Sequence, residues 1–353
     1  MTPRVRIVQA GLGDWGHDWA WRVNPSVDEV EVVGYVDSDP AALERISRRL
    51  PEASGRVFGA LGDAIEATRP DALMVTTTLA GHEPLTRLGL EAGLHVLCEK
   101  PFTDNLECAR ELVDLAAARG LTLMVSQNYR HFPAPRAVAS LVDDAVLGNL
   151  YEVSIDFRRN DASPPKPLRR HHHDAQPLLI DMSIHHFDLL RMLLRQEPQR
   201  LMCQSTNPAW SGFDGPPTAN ASIAFDDLLV SYRGSWISAG PQTPWAGHWT
   251  MEFERGQLWW TSRGENNGAG DDRVVLRPRR GRPRVLSLPE LSRIDRAGTL
   301  TEFAMALREG REPESSGRDN LRTLAFTLSA VESAKLGAWV NVAEQVGVGV
   351  GKL

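Results

Sequence analysis

What most restricts the fold of this 353-residue chain lies near its start, where the apolar run Val5 to Ala10 leads directly into Gly11-Leu12-Gly13-Asp14-Trp15-Gly16. Each glycine answers a different steric demand. Gly11 permits a tight turn after a strand, Gly13 lets the backbone approach a pyrophosphate, and Gly16 lets the following helix pack close to the strand. The new helix offers unpaired N–H groups and a positive dipole end to phosphates. Glycine spacing alone is weak evidence, and its context strengthens it. Asp37 ends a second apolar run, Val30 to Val36, 21 residues beyond Gly16. An acid there accepts hydrogen bonds from a ribose diol and repels a 2′-phosphate, so NAD is expected over NADP. Ser38 keeps NADP possible, because a small hydroxyl beside the acid can accommodate a phosphate. Leu12, Asp14 and Trp15 occupy the variable loop positions, which tolerate side chains that point away from the phosphates.

Strand-like and helix-like segments alternate through the first 125 or so residues. Apolar runs at Ala72–Thr77, Leu94–Cys98 and Leu121–Ser126 are separated by helical stretches at Pro40–Leu50, Glu83–Ala92 and Leu106–Arg119. That order implies βαβ units and a parallel sheet. After about residue 150 the pattern changes. Tyr151–Arg159 reads as a long strand, and Leu178–Leu194 as a helix with Pro177 suited to its first turn. Strand-like runs follow at Arg200–Ser205, Ala219–Phe225, Leu228–Ile237, His248–Phe253, Gln257–Thr261 and Arg273–Leu276, with Gly and Pro at hairpin spacing. Leu300–Arg308 and Asp319–Leu336 read as closing helices, and Val346–Leu353 as a fraying tail. The expected architecture is α/β in two domains. Residues 1–127 bind a dinucleotide. Residues 128–353 form a second domain with an open, mainly antiparallel sheet, to which the resemblance given below assigns substrate binding and oligomerisation, and the closing helices are free to pack back on the first domain.

Composition narrows the partners. A net charge of −6 offers no global basic field for nucleic acid. No run reaches 18 apolar residues, so no membrane span is expected. The three cysteines, Cys98, Cys108 and Cys203, form no close pair, which argues against a disulfide framework or a thiolate zinc site and fits a reducing, cytoplasmic setting. Arg277 to Arg284 reads as a solvated loop, and His171-His172-His173 as a loop cluster rather than a metal site. Ten tryptophans stand against four tyrosines. Trp236, Trp245, Trp249, Trp259 and Trp260 fall among the later strands and point to sheet packing or association of copies.

Two further segments carry chemistry. Glu99-Lys100-Pro101 follows an apolar run, and ligands of open α/β sheets bind beyond the carboxyl ends of strands. That places Lys100 near a nicotinamide. Asp181, His185 and Asp188 are spaced i, i+4, i+7 and share one helical face. A carboxylate one turn from a histidine can orient it and tune its pKa for proton transfer near neutral pH. Thr77, Glu99 and Gln127 join the expected cofactor contacts. His82 stands either near the cofactor or as a structural histidine. Asn128, Tyr129 and Arg130 either border the substrate or serve packing and capping.

With these residues in place the chain resembles the Gfo/Idh/MocA oxidoreductases, the group of glucose-fructose oxidoreductase and inositol dehydrogenase. The resemblance runs over Gly11–Gly16, Asp37, Glu91–Pro101, Ser126–Arg130, Asp181–Asp188, Gly234-Ser235-Trp236 and Thr243-Pro244-Trp245. It implies an N-terminal Rossmann domain for NAD or NADP. It also implies a C-terminal α/β domain whose sheet forms a dimer or tetramer interface, and Lys100, Asp181 and His185 as the catalytic set. The implied reaction moves a hydride between nicotinamide and a secondary alcohol or ketone of a sugar or cyclitol. The alternatives are an NAD-dependent glycosidase that oxidises its sugar transiently, and a dinucleotide-binding regulator without turnover. Departures from the family pattern at Gln176–Ile180 and Ser183 bear on substrate specificity.

Overall fold

The computed structural model describes residues 3–162, 170–265 and 268–342, and the expected tail at Val346–Leu353 lies outside them. The chain divides into two compact units, Met1–Asn128 with Arg296–Leu321, and Tyr129–Asp295 with Arg322–Leu353.

In the first unit six strands form one sheet: β1 (Val5–Ala10), β2 (Val30–Val36), β3 (Val57–Phe58), β4 (Ala72–Val75), β5 (His95–Glu99) and β6 (Leu123–Ser126). Their order is β3-β2-β1-β4-β5-β6, and every pairing is parallel. Continuous burial of Ile7, Val8, Leu73, Val75, Val96 and Leu97 is the pattern of strands covered on both faces. The order reverses between β1 and β4, the switch point at which such sheets bind ligands. The helices are α1 (Asp14–Asp18), α2 (Pro40–Arg49), α3 (Leu61–Thr68), α4 (Leu79–Glu91) and α5 (Leu106–Ala118). Asp39 caps α2 by accepting from the Ala41 N–H at 2.9 Å, with Pro40 in the first turn. The helix expected from Glu83 begins earlier and passes through Pro84. Leu300, Phe303 and Ala304 pack into the same core as Val5, Ile7, Trp19 and Met124, so a segment from late in the chain completes the first unit.

The second unit contains α6 (Pro133–Asp143) and α7 (Ile184–Leu194), while α8 (Asp295–Glu309) and α9 (Gly317–Leu336) come later in sequence, before the last strand of its sheet. Helix α6 escaped the sequence reading because Pro133 and Pro135 resemble breakers, yet a first helical turn needs none of their missing N–H groups. Nine strands build the sheet: β7 (Leu150–Arg158), β8 (Arg200–Thr206), β9 (Thr218–Ala224), β10 (Leu229–Ser235), β11 (His248–Phe253), β12 (Gly256–Thr261), β13 (Arg273–Pro278), β14 (Arg284–Val285) and β15 (Val340–Asn341). Their order is β14-β13-β12-β11-β7-β10-β9-β8-β15, antiparallel except for the central β7–β10 pair. The basic run from Arg277 links β13 to β14 as an exposed hairpin.

Alternating burial along these strands gives the sheet two unlike faces. One carries Ile155, Phe157, Trp249, Met251, Trp260 and Val274 into a core with Val138, Leu189, Leu193 and Phe326. The other carries Ser154, Asp156, Ser231, Arg233 and Thr250. For three of the tryptophans this decides between sheet packing and association. Trp249 and Trp260 pair across the strands, are fully buried and stack at 4.7 Å, and Trp236 is buried with its N–H donated to the Pro177 carbonyl at 3.0 Å. They pack the core of the sheet, the first of the two expected readings. Trp259, half-buried, is the tryptophan of these strands that alternates to the opposite face. Among the described residues no helix is long and apolar enough to cross a membrane.

Candidate functional site

In the first unit the three loop glycines are held for different reasons. Gly11 has φ +97°, and a Cβ there would meet the Thr77 nitrogen at 2.5 Å. A Cβ on Gly16 would lie 1.9 Å from the Gly11 carbonyl oxygen. Both positions are fixed by the protein's own backbone. Gly13 differs: its φ is −57° and a Cβ would meet nothing within 4 Å. The fold does not require glycine at that position, whereas close approach of a phosphate does. The helix behind the loop is shorter than the motif suggests, since α1 gives way at Trp19 to a π-helical turn through Val23.

Asp37 is fixed beside this loop. Its Oδ2 accepts from the Leu12 N–H at 2.6 Å and its Oδ1 from the Asp39 N–H at 2.9 Å. A carboxylate has about four lone-pair positions, so acceptor capacity remains for a ribose diol. Leu12 contributes only main chain here, because its side chain is buried in the core. Asp14 is exposed and pairs with Arg45 at 3.3 Å, and Ser38 is exposed. Gln127 follows β6 at the carboxyl edge of the sheet. It is 1% exposed, and neither polar atom of its side chain has a hydrogen-bond partner. A buried amide left unpaired costs about 1–3 kcal/mol, so a polar ligand at this edge would relieve a real penalty. The open space at Gly13, the remaining capacity of Asp37 and the orphaned Gln127 amide together fit a dinucleotide.

Glu99 turns out to organise this edge. Its buried Oε1 accepts from the indole N–H groups of Trp15 at 2.9 Å and Trp19 at 2.8 Å, while Oε2 accepts from the Lys100 main-chain N–H at 3.0 Å. One carboxylate thus ties the helix after the glycine loop to the end of β5, and Lys100 leaves that point half-buried. His82 braces the next residue, with Nδ1 2.7 Å from the carbonyl of Pro101 and Nε2 3.3 Å from that of Thr77. The Lys100–Pro101 peptide is cis. The side chains of Glu99 and His82, both expected at the cofactor, are therefore engaged in holding Lys100 and the loop. Thr77 is half-buried, and its hydroxyl donates to the neighbouring Thr78 carbonyl.

In the second unit the expected single helix over Leu178–Leu194 is a π-helical turn, Leu179–Ser183, followed by α7. Such insertions are frequent at functional sites because they re-aim side chains. Asp181 lies in the π turn, half-buried, and His185 lies in the first turn of α7, 5% exposed. The His185 ring stacks on Tyr129 at 4.0 Å with 6° between planes. Arg263 donates to the Tyr129 hydroxyl at 2.8 Å and lies over its ring at 4.7 Å. Burial pushes the Tyr129 hydroxyl up to about 12, Arg263 opposes this, and Asp295 and Asp181 add to it.

The shared stripe does not extend to Asp188. Its carboxylate receives both Nε and Nη2 of Arg130 at 2.7 Å, and the Thr323 hydroxyl at 2.9 Å, with all three residues buried. Arg130, expected as a substrate contact, serves this pair instead. Asn128 is buried. His186 sits between the Tyr232 hydroxyl at 3.2 Å and the Trp245 carbonyl at 3.1 Å, and burial pulls its pKa down to about 4. Ser183 bonds the same Tyr232 hydroxyl at 2.7 Å, which gives the departure at that position a structural use. The histidine run is divided, His171 and His172 meeting Asp161 and His173 meeting Asp214. Among the described residues no three His, Cys, Asp or Glu side chains gather as metal ligands. Sequence reading missed Arg263, whose position after β12 carries no motif, and it had no means of pairing Tyr129 with His185.

Comparison with known proteins agrees with this layout. The chain is 30% identical over 330 residues to the rhizopine catabolism protein MocA of Rhizobium meliloti, covering 93% of this chain and 95% of that one. It is 26% identical over 353 residues to a D-apiose dehydrogenase of Paraburkholderia graminis, covering 95% and 88%. Its fold matches that of an inositol dehydrogenase homologue from Azotobacter vinelandii, crystallised with NADH and myo-inositol, with a TM-score of 0.82, 20% identity, and coverage of 97% and 98%. Residues 5–127 match the model of an oxidoreductase family with an NAD-binding Rossmann fold, and residues 136–258 match the GFO/IDH/MocA C-terminal domain.

Proposed function

The chain belongs to the GFO/IDH/MocA family of NAD-binding oxidoreductases, and on that premise we propose that it interconverts a secondary alcohol and a ketone on a sugar or cyclitol. The observation that supports this best is the Glu99 carboxylate, which couples the helix after the glycine loop to the main chain of Lys100 at the carboxyl edge of the parallel sheet. NAD, when bound, supplies a hydride acceptor at its nicotinamide.

Within this proposal the chain's own groups handle the proton and the charge. His185, oriented by the Tyr129 ring, takes the proton of the reacting hydroxyl. Lys100 donates to the same oxygen and stabilises the charge that develops on it. Asp181 orients the substrate. Each of these contributions is worth about 10²–10⁴-fold in rate. The test follows NADH absorbance with inositols, aldoses and keto-sugars in both directions, then repeats the assay with Lys100→Ala and His185→Ala on the best substrate. Unchanged turnover in both variants would defeat the assignment.

The proposal extends to assembly and setting. Copies associate through the polar face of the nine-stranded sheet, which alternation leaves outside the core. Thr250→Arg on that face is expected to lower the mass measured by sedimentation, and an unchanged mass would count against that surface. The compartment is reducing and cytoplasmic, a reading supported by three cysteines that are all unpaired.

A further inference from the structure

We propose that Arg159 and Trp245 form a carboxylate-binding subsite, so that the substrate is a sugar acid rather than a neutral polyol. The inference rests on the oxidoreductase reading and names the substrate class of its second unit. Arg159 follows β7 and is locked by its main chain, which donates to the Ser235 carbonyl at 2.8 Å and accepts from the Ser238 N–H at 2.9 Å. The residue is 4% exposed, and its guanidinium lies over the Trp245 ring at 4.0 Å. Nη1 is satisfied by Gln242 at 3.0 Å and by Glu265, a carboxylate that stands 68% in solvent. Nε and Nη2 are buried and have no partner, and neither has the buried indole N–H of Trp245.

Nε and Nη2 form the side-on edge of a guanidinium, whose two parallel N–H groups match the two oxygens of a carboxylate. This chain uses that edge twice elsewhere. Arg130 turns it to Asp188 at 2.7 Å, and Arg191 turns it to Glu197 at 2.7 and 2.8 Å. Arg159 is buried to the same degree, yet among the described residues no carboxylate meets the corresponding edge. A buried cation with unmet donors carries a desolvation penalty that a ligand carboxylate would remove.

Position connects this edge to the proposed chemistry. The Trp245 main-chain N–H donates to the Arg263 carbonyl at 2.9 Å, and Arg263 lies over Trp245 at 5.6 Å while holding the Tyr129 hydroxyl. Tyr129 in turn stacks on His185. Asp295 lies 3.7 Å from Nε of Arg263 and balances that second arginine, whereas both Nε and Nη2 of Arg159 lack a partner among the described residues.

Calorimetry on the NAD-loaded protein tests this with matched probes, D-gluconate against D-glucitol and D-glucuronate against D-glucose. The acids are expected to bind about tenfold or more tightly than their neutral counterparts, since a hydrogen bond to a charged group is worth about 1.5–3 kcal/mol. In Arg159→Gln that preference is expected to collapse to about twofold, with NAD affinity and melting temperature retained. Arg159→Lys, which keeps the charge without the edge, is expected to fall between and serves if the glutamine variant does not fold. Equal affinity for acid and neutral probe, no binding of either acid, or a preference that survives in both variants would overturn the subsite. Oxidation of neutral polyols without binding of acids would leave the redox reading standing and remove the subsite. Tight acid binding with no NADH from any acid would do the reverse.

Discussion

Gly13 and Gly16 are separated by two residues and are expected to fail in opposite ways when replaced by alanine. In Gly16→Ala the new methyl starts 1.9 Å from the Gly11 carbonyl oxygen and must retreat to at least 3.0 Å. The obstructing atoms are backbone, with the Thr76 hydroxyl 2.9 Å away on another side, so relief requires the helix to lift off the strand. Overpacking of this kind costs about 1–3 kcal/mol, and the upper end applies where main chain must move. At roughly 2–4 °C per kcal/mol for a domain of this size, melting should fall by ~6–12 °C. In Gly13→Ala the methyl enters open space at an ordinary φ, and the change in stability should stay within about 1 kcal/mol, the scale of an N-cap exchange. NAD affinity should nonetheless fall by about 10–100-fold, because the methyl occupies the approach of the pyrophosphate to the loop N–H groups. Thermal melting without nucleotide, together with NAD titration by calorimetry, separates the two effects. If Gly13→Ala binds NAD as the parent does, the proposed role of the loop is wrong. If Gly16→Ala melts as the parent does, the close packing at Gly11 is wrong.

Two further outcomes follow from the second unit. Arg130→Met leaves Asp188 buried with only Thr323 and should destabilise by about 3–5 kcal/mol in urea titration, whereas an effect below about 1 kcal/mol would show that the pair is not desolvated. His186 is held neutral, its folded pKa about 4 against an ordinary value of 6.5. Because the folded value is the lower one, the contribution is present above pH 6.5 and is lost as pH falls toward 4. The shift corresponds to roughly 3 kcal/mol. Stability measured at pH 7 and pH 4.5 should show this loss in the parent and much less of it in His186→Phe, and parallel pH profiles would refute the assignment.

Much of the first unit could be read from residue order, because its strands are apolar throughout and its glycine loop obeys local steric rules. The boundaries of β1 and β2 emerge as expected at Val5–Ala10 and Val30–Val36. The two-residue β3 and the helix α3 were invisible, since neither has enough residues to establish a period. In the second unit the strands were legible from alternation, but their neighbours were not. Nothing in sequence spacing announces that β7 and β10 run parallel at the centre of the sheet. The site shows the same division. Lys100, Asp181 and His185 stand in local motifs, whereas the Tyr129 stack, the Arg263 hydroxyl contact and the Arg130–Asp188 pair join residues up to 134 positions apart. The π turn also escaped notice, because one additional residue in a turn leaves the apolar pattern nearly intact.

The first unit's core is completed by Leu300, Phe303 and Ala304, residues that follow the entire nine-stranded sheet except β15 in sequence. A ribosome therefore delivers the glycine loop and all six strands of the first sheet long before it delivers the helix that seals them. Until residue 304 has emerged, the cluster around Ile7, Trp19 and Met74 lacks part of its cover, and most of the second sheet is synthesised in the interval. A nascent polypeptide stopped at residue 290 would therefore lack Leu300, Phe303 and Ala304 and expose apolar surface that they cover in the completed protein.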